Sequence, residues 1–436
     1  MSSSRFLDWR TLVGVTALSA VLAGCGGGGS DSDSSGPGNP PPTASATGVF
    51  TDAPVNGLNY TASPSGASGV TGDTGTAGGF RYEPGDTVTF TLGGLQLGQA
   101  QGAPSVSPAD IAGRDANKAM NLMVLLQSLD SDADEGVIKI SLPAGTSLSN
   151  VPLTAEPATF AAAPALTTAI AAAGGTPVTP EAAMAHARAQ FWKSIAGVWV
   201  IEVADGGSVI IRFDDQGRYL LGETGVRDDA GGPGVEHGSI TWDPATLEAT
   251  AVVTEETNGE WGLSHPQGGK FLLRYDGERL YVRDIASAAD DWTTFRRGRN
   301  SATQLPGFWA LLDPGQETAP FVVQTFAFGG NGSYLMIDPI GDVAEGEGDE
   351  SCGGPGVESG SYSLEGGTLK LTTIHVDTNG CAGLNEPLSP TVNVPTELRS
   401  VQISADGNTL TAEVWFIWPD REPEFDDTVT LQRIRF

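Results

Sequence analysis

Four histidines, three cysteines and a large surplus of carboxylates are the residues of this chain that could do chemistry. His186, His237, His265 and His375 fall in no spacing that builds a zinc site, and neither a His-Glu-x-x-His helix nor a phosphate loop is present. His186 lies in an Ala-rich stretch and reads as a packing or surface residue. Carboxylates at alternate positions, Asp130, Asp132 and Asp134, can converge on one Ca²⁺, because a turn brings every second side chain to one side. A full Ca²⁺ loop also needs Gly in sixth place and Glu in twelfth, where this chain has Glu135 and Ser141, so a solvated acidic helix end is the competing reading. The run Asp342, Glu345, Glu347, Asp349 and Glu350 reads as a solvated loop extended by its own repulsion.

Location comes from the first residues. Arg5 and Arg10 precede an apolar stretch from Thr11 to Leu22 that ends in small residues, the order of an export signal and too short for a stable anchor. Its last four residues, Leu22-Ala23-Gly24-Cys25, resemble a bacterial lipobox, where cleavage occurs before a cysteine that has received a diacylglyceryl group. The resemblance implies removal of residues 1–24, lipid attachment at Cys25 and, with Gly26 following the cysteine, placement in the outer membrane. Acyl chains such as palmitate then hold the protein, each buried CH₂ contributing about 0.8 kcal/mol. Residues 25–46 are rich in Gly, Ser and Pro and too poor in apolar side chains to offset the entropy of ordering, so they are expected to form a flexible tether.

The elements that follow are expected to be mainly β with a helical insert. Residues 47–106 alternate apolar and polar positions between Gly-rich turns, which predicts short antiparallel strands. Val70-Thr71-Gly72-Asp73 and Gly79-Phe80-Arg81-Tyr82-Glu83-Pro84-Gly85-Asp86 resemble the small β-sandwich of carboxypeptidase-regulatory-like modules, a family in which the module is usually a spacer. Residues 107–195 change to helical spacing. One amphipathic helix is predicted over 109–129, starting at Ser107-Pro108, with further helices over 157–172 and 180–195.

The strongest signal is an internal repeat, residues 196–299 against 305–436. Gly197-Val198-Trp199 matches Gly307-Phe308-Trp309, and Gly232-Pro233-Gly234-Val235-Glu236 matches Gly354-Pro355-Gly356-Val357-Glu358. Thr257-Asn258-Gly259 recurs as Thr378-Asn379-Gly380, in preserved order and with unequal insertions, which is the mark of duplication. Strands are predicted in the first copy near 198–203, 208–213, 218–223, 236–242, 247–254, 270–275, 279–284 and 292–297. Eight short strands in sequence order suit an up-and-down barrel, with a simple β-sandwich as the competitor. The opening Gly-x-Trp and closing Arg resemble the lipocalin-like (calycin-type) pattern. That likeness implies that Arg297 packs on Trp199 and Arg433 on Trp309 to close one barrel end, a stacking worth about 0.5–2 kcal/mol.

Two repeated or paired features remain. Glu236 and Glu358 occupy equivalent positions, either capping the Gly-Pro-Gly turn or facing the barrel mouth. Cys352 and Cys381 occur only in the second copy, where the first has Ala230 and Glu260, and in an exported chain they are expected to form a disulfide. His237 and His265 could approach as a metal pair, although Ser359 and Glu386 replace them in the second copy. Gly348 to Pro355 has a superficial likeness to the sequence around a chymotrypsin-like nucleophile, but two intruding residues break it.

Composition narrows the function. With 53 acidic against 23 basic residues in 436, a net charge of −30, the chain is a poor partner for nucleic acid, whose affinity comes from Lys and Arg releasing counterions. No internal apolar run reaches the roughly 18–20 residues of a membrane-spanning helix. The expected function is therefore non-enzymatic: an outer-membrane lipoprotein whose tandem barrels bind a small apolar ligand or an envelope protein. A structural or adhesive protein without a cavity, and a metal-assisted hydrolase, are the alternatives. No cofactor beyond the candidate Ca²⁺ is expected.

Overall fold

A computed structural model describes residues 45–132, 136–202, 207–341, 353–389 and 392–435. Alternation of apolar and polar side chains gives the N-terminal region two small sheets. One pairs Gly79–Tyr82, Ala46–Phe50 and Ser105–Val106; the other runs Ser68–Val70, Asn59–Ser63, Thr87–Leu92, Leu95–Gln101. Their inner faces meet through Phe50, Phe80 and Phe90, with edge-on ring centroids 4.8 Å (Phe50–Phe90) and 5.2 Å (Phe80–Phe90) apart.

The single helix predicted over 109–129 is two, Pro108–Ala112 and Ala116–Ser128. The first is fixed by a capping box between Ser107 and Asp110 and ends at Gly113, whose φ of 68° is left-handed, while the Asp115 side chain caps the second. The stretch 157–172 also divides, into Pro157–Ala161 and Pro164–Ala173, because Pro164 lacks the N–H that a continuous helix needs. Pro180–Ile195 forms as expected, capped by Thr179.

Both copies of the repeat are closed eight-stranded antiparallel barrels, and the sandwich alternative is set aside by their closure. The first runs Gly197–Glu202, Ser208–Phe213, Arg218–Glu223, Gly234–Trp242, Glu248–Glu256, Phe271–Tyr275, Arg279–Asp284 and Thr293–Arg297, with the last strand paired back to the first. The second runs Gly307–Leu311, Thr325–Phe328, Ser333–Asp338, Gly356–Glu365, Thr368–Asp377, Val392–Ile403, Thr409–Phe416 and Glu424–Arg433. Pairing of Leu369 with Leu398 closes it, and an additional strand, Asn385–Ser389, joins as a hairpin. Closure removes the edges on which other chains could add. At Gly238 and Gly360 both copies carry a bulge beside the same turn of chain, where a Cβ would overlap the Val252 or Thr373 carbonyl of the next strand.

One end of each barrel is tied by the same three contacts. Trp199 donates from its indole nitrogen to the Ile195 carbonyl at 2.8 Å, and Trp309 to the Leu305 carbonyl at 2.9 Å. Arg297 lies 4.5 Å from the centre of the Trp199 ring and donates to the Ala196 and Ser194 carbonyls. Arg433 lies 3.9 Å from Trp309 and donates to the carbonyls of Gly407, Gln304 and Pro306. The helix Pro180–Ile195 lays Trp192 against Phe213 at the first barrel, while Phe191 stacks on Trp242 at 3.8 Å.

Replacing Arg433 by Ala removes a ring contact and charge-assisted bonds to three carbonyls. The expected cost is about 2–4 kcal/mol in urea unfolding, with Lys restoring less than half of it because an ammonium cannot fork between carbonyls.

Candidate functional site

Strand alternation sends Trp199, Phe213, Tyr219, Phe271 and Phe295 into the first barrel, and all are 2 % exposed or less. Large rings occupy the space where a ligand of a wide barrel would lie. The opposite faces of the same strands are also apolar. Val198, Ile210, Leu220 and Val235 point outward and are buried against Phe308, Leu335, Ile337 and Val357 of the second copy. By the repeat, Val198 is the counterpart of Phe308, Leu220 of Leu335 and Val235 of Val357. The barrels therefore pack through equivalent faces, as two subunits do about a two-fold axis. Gly222 makes room for its own counterpart, Ile337, which a Cβ there would strike. Phe321, from the second copy, sits between Arg212 and Arg218 of the first at 4.8 and 5.0 Å. Burial lowers the Arg212 guanidinium to about 10.

Beside this seam the two convex surfaces diverge and leave a cleft of about 1570 Å³. Its first wall comes from strands at both ends of barrel one, including Val200, Arg279 and Arg296, and from Arg299 just past the last strand. The second wall comes from Phe308, Ala327, Leu335 and His375.

The repeated glutamates do something different from capping the Gly-Pro-Gly turn. Both are buried, at 0 % exposure, and each holds the loop after the following strand. Glu236 accepts from the Tyr219 hydroxyl at 2.6 Å, from the Leu263 and Ser264 N–H groups and from the Ser264 hydroxyl. Glu358 accepts from the Tyr334 hydroxyl at 2.5 Å and from the N–H groups of Leu384 and Asn385. The loop's own Thr closes the turn instead: Thr257 accepts from the Val235 N–H and Thr378 from the Val357 N–H. A second buried carboxylate stands one strand away in each copy, Glu223 bonded by Asn258 at 2.5 Å, and Asp338 beside Gln324. Burial raises all four acids, Glu223 to about 8 and Glu358 to about 7. Reading the sequence singled out only one member of each network. The positions of Tyr219 and Tyr334, Asn258 and Asn379, and Glu223 and Asp338 within the repeat were the available signal.

The remaining candidates are dispersed. Asp130 accepts from the N–H groups of Asp132 and Lys139, and Asp132 pairs with the Lys139 ammonium at 2.5 Å; Asp134 lies outside the described residues. Among the described residues no group of three or more His, Cys, Asp or Glu is placed to hold a metal. His237 lies across from Leu220 and Glu255, and burial lowers its pKa. His265 instead bonds Ser264 at 2.8 Å through Nδ1 and approaches Glu256 at 3.8 Å through the same nitrogen. Cys25, Cys352 and the acidic run 342–350 lie outside the described residues. Cys381 falls in the short turn Gly380–Ala382. In the first copy the counterparts of the two cysteines are bonded neighbours, the Glu260 N–H donating to the Ala230 carbonyl at 2.8 Å. Among the described residues no helix is long and apolar enough to cross a membrane. No protein-family model matches the chain, and no curated protein matches it either.

The raised carboxyls make stability depend on pH with a definite sign. Above about pH 4.5 the folded chain keeps protons that the unfolded chain has released, on Glu358 up to about pH 7 and on Glu223 up to about pH 8. Stability therefore falls as pH rises through that window and levels above it, by on the order of a few kcal/mol. Urea unfolding at intervals from pH 5 to 8 should show this decline, and Glu223→Gln with Glu358→Gln should flatten it.

Proposed function

We propose that this chain is a non-catalytic, lipid-anchored outer-membrane protein whose twin barrels carry a small ligand in the cleft between them. The observation that carries the reading is the location of open space: aromatic rings fill the first barrel, while the seam opens into a cleft with an apolar floor. A binding site of this kind is concave and lined by both apolar and polar groups. The lipobox-like Leu22-Ala23-Gly24-Cys25 supports the anchor, and the short Gly- and Ser-rich segment after it suits a tether. The N-terminal sheets, with their resemblance to carboxypeptidase-regulatory-like modules, are read as a spacer.

The non-catalytic part of the proposal is supported by how the Ser264, His265 and Glu256 neighbourhood is wired. The Ser264 hydroxyl bonds both Glu236 and Glu256, and the His265 Nδ1 faces Ser264 and Glu256 alike, which leaves no relay from acid through imidazole to nucleophile. The second copy has Asn385 and Glu386 there. The disulfide proposal for Cys352 and Cys381 is supported by the contact between their first-copy counterparts, and by Gly353 packing against Ala382. In the chain-entropy view such a bridge adds about 3–4 kcal/mol.

Three measurements test the proposal. Metabolic labelling with an alkyne palmitate should mark the wild type and not Cys25→Ser, which should move to the soluble fraction; equal labelling of both would refute the anchor. The oxidised protein should have neither Cys352 nor Cys381 open to alkylation before reduction and both after it. Native mass spectrometry of protein from its own envelope should show a small adduct that is lost in Ala327→Trp, which fills the cleft. A bare mass in the wild type would instead favour a purely structural role.

A further inference from the structure

The cleft carries a charge opposite to that of the chain around it. In a protein with 53 acidic and 23 basic residues, its described lining includes Arg279, Arg296, Arg297 and Arg299 against a single carboxylate, Glu278. Arg297 is committed to the Trp199 ring and the carbonyls of Ala196 and Ser194. Arg279 and Arg299 are exposed, and among the described residues neither has an ion-pair partner. Arg279 also stands directly opposite Arg296 on the adjacent strand. The nearby Asp276 is turned into its own hairpin, accepting from the N–H groups of Glu278 and Arg279 and from the Tyr281 hydroxyl, and makes no ion pair with Arg279.

The same cleft also presents apolar side chains. Val200, Ile210, Phe308, Leu335 and Val376 line the cleft, and Ile210, Phe308 and Leu335 belong to the packed seam between the barrels. Guanidinium groups and apolar side chains lining one cleft, a cationic rim and a hydrocarbon floor for such a ligand, match a molecule with one anionic end and one alkyl chain. We infer that the cleft binds a single-chain anionic amphiphile, its carboxylate held by Arg279 and Arg299 and its chain laid along the seam. This rests on the proposal that the cleft is the ligand site and adds the ligand's chemistry. Guanidinium groups suit it, because each can bond a carboxylate through two parallel N–H donors. A neutral amphiphile would use the same floor without the rim, and a free inorganic anion would use the rim without the floor.

Calorimetry on the full-length chain carrying Cys25→Ser, purified without detergent, tests this with probes sharing one acyl chain: laurate, neutral monolaurin, and inorganic phosphate. The expected result is laurate binding at least about tenfold tighter than monolaurin, with phosphate alone giving no measurable heat. The double variant Arg279→Gln, Arg299→Gln should weaken laurate about tenfold or more and leave monolaurin within about twofold. Equal affinities for laurate and monolaurin, unchanged in that variant, would overturn the anion assignment while leaving the cleft as a ligand site. Laurate binding that persists in Ala327→Trp would place the ligand elsewhere and overturn the inference. Absence of binding by either amphiphile would overturn the cleft reading itself.

Discussion

Each barrel has an apolar outer face that water will not tolerate, and the fold depends on covering it. Val198, Leu220 and Val235 on one copy, with Phe308, Leu335 and Val357 on the other, would stay exposed on a lone barrel. Burying side chains of this size contributes about 1.5–3 kcal/mol apiece, so the two copies are joined by more than their connecting chain. The repeat supplies the partner: a face that a lone barrel would leave to water is covered by the second half of the same chain. The packing runs through equivalent strands, as at a two-fold dimer interface.

The same geometry makes the cleft. Two convex barrels touching along a few strands must diverge beside the contact, and the chain bordering the gap carries Arg279, Arg296 and Arg299. In contrast, the polar chemistry most strongly repeated between copies is structural. Glu236 and Glu358 are buried hydrogen-bond hubs that tie a tyrosine on one strand to a loop beyond the next. Gly262 and Gly383 let that loop approach, since a Cβ at either would strike the carboxylate. Repetition marks what the barrel needs in order to close; the cleft arginines come from the first copy alone.

Much of the fold was legible because its signals are local. All eight strand positions expected in the first copy lie within two residues of those observed, since alternation and Gly- or Asp-rich turns set both ends. Helix breaks were harder, although Gly113 and Pro164 stood in plain view, because apolar spacing runs on across both. The seam was hidden for another reason. Tyr219-Leu220-Leu221 is apolar on both faces, the mark of a strand buried on both sides, but alternation cannot say what covers the outer one. Likewise Arg279, Arg296 and Arg299 are visible in the sequence, yet their convergence on a cleft depends on residues of the second barrel as far along the chain as Val376. The strand Asn385–Ser389 has two prolines' worth of local bias around it, Pro387 and Pro390, and reads as loop.

The most direct measurement is a crystal structure of the chain soaked with a dodecanoate carrying terminal bromine, with the bromine found by anomalous scattering. Its peak should fall over the seam between the barrels, near Phe308 and Leu335, with the carboxylate within hydrogen-bond reach of Arg279 or Arg299. A bromine peak inside either barrel, among rings such as Trp199 and Phe213, would contradict the view that the pair, and not the single barrel, makes the site.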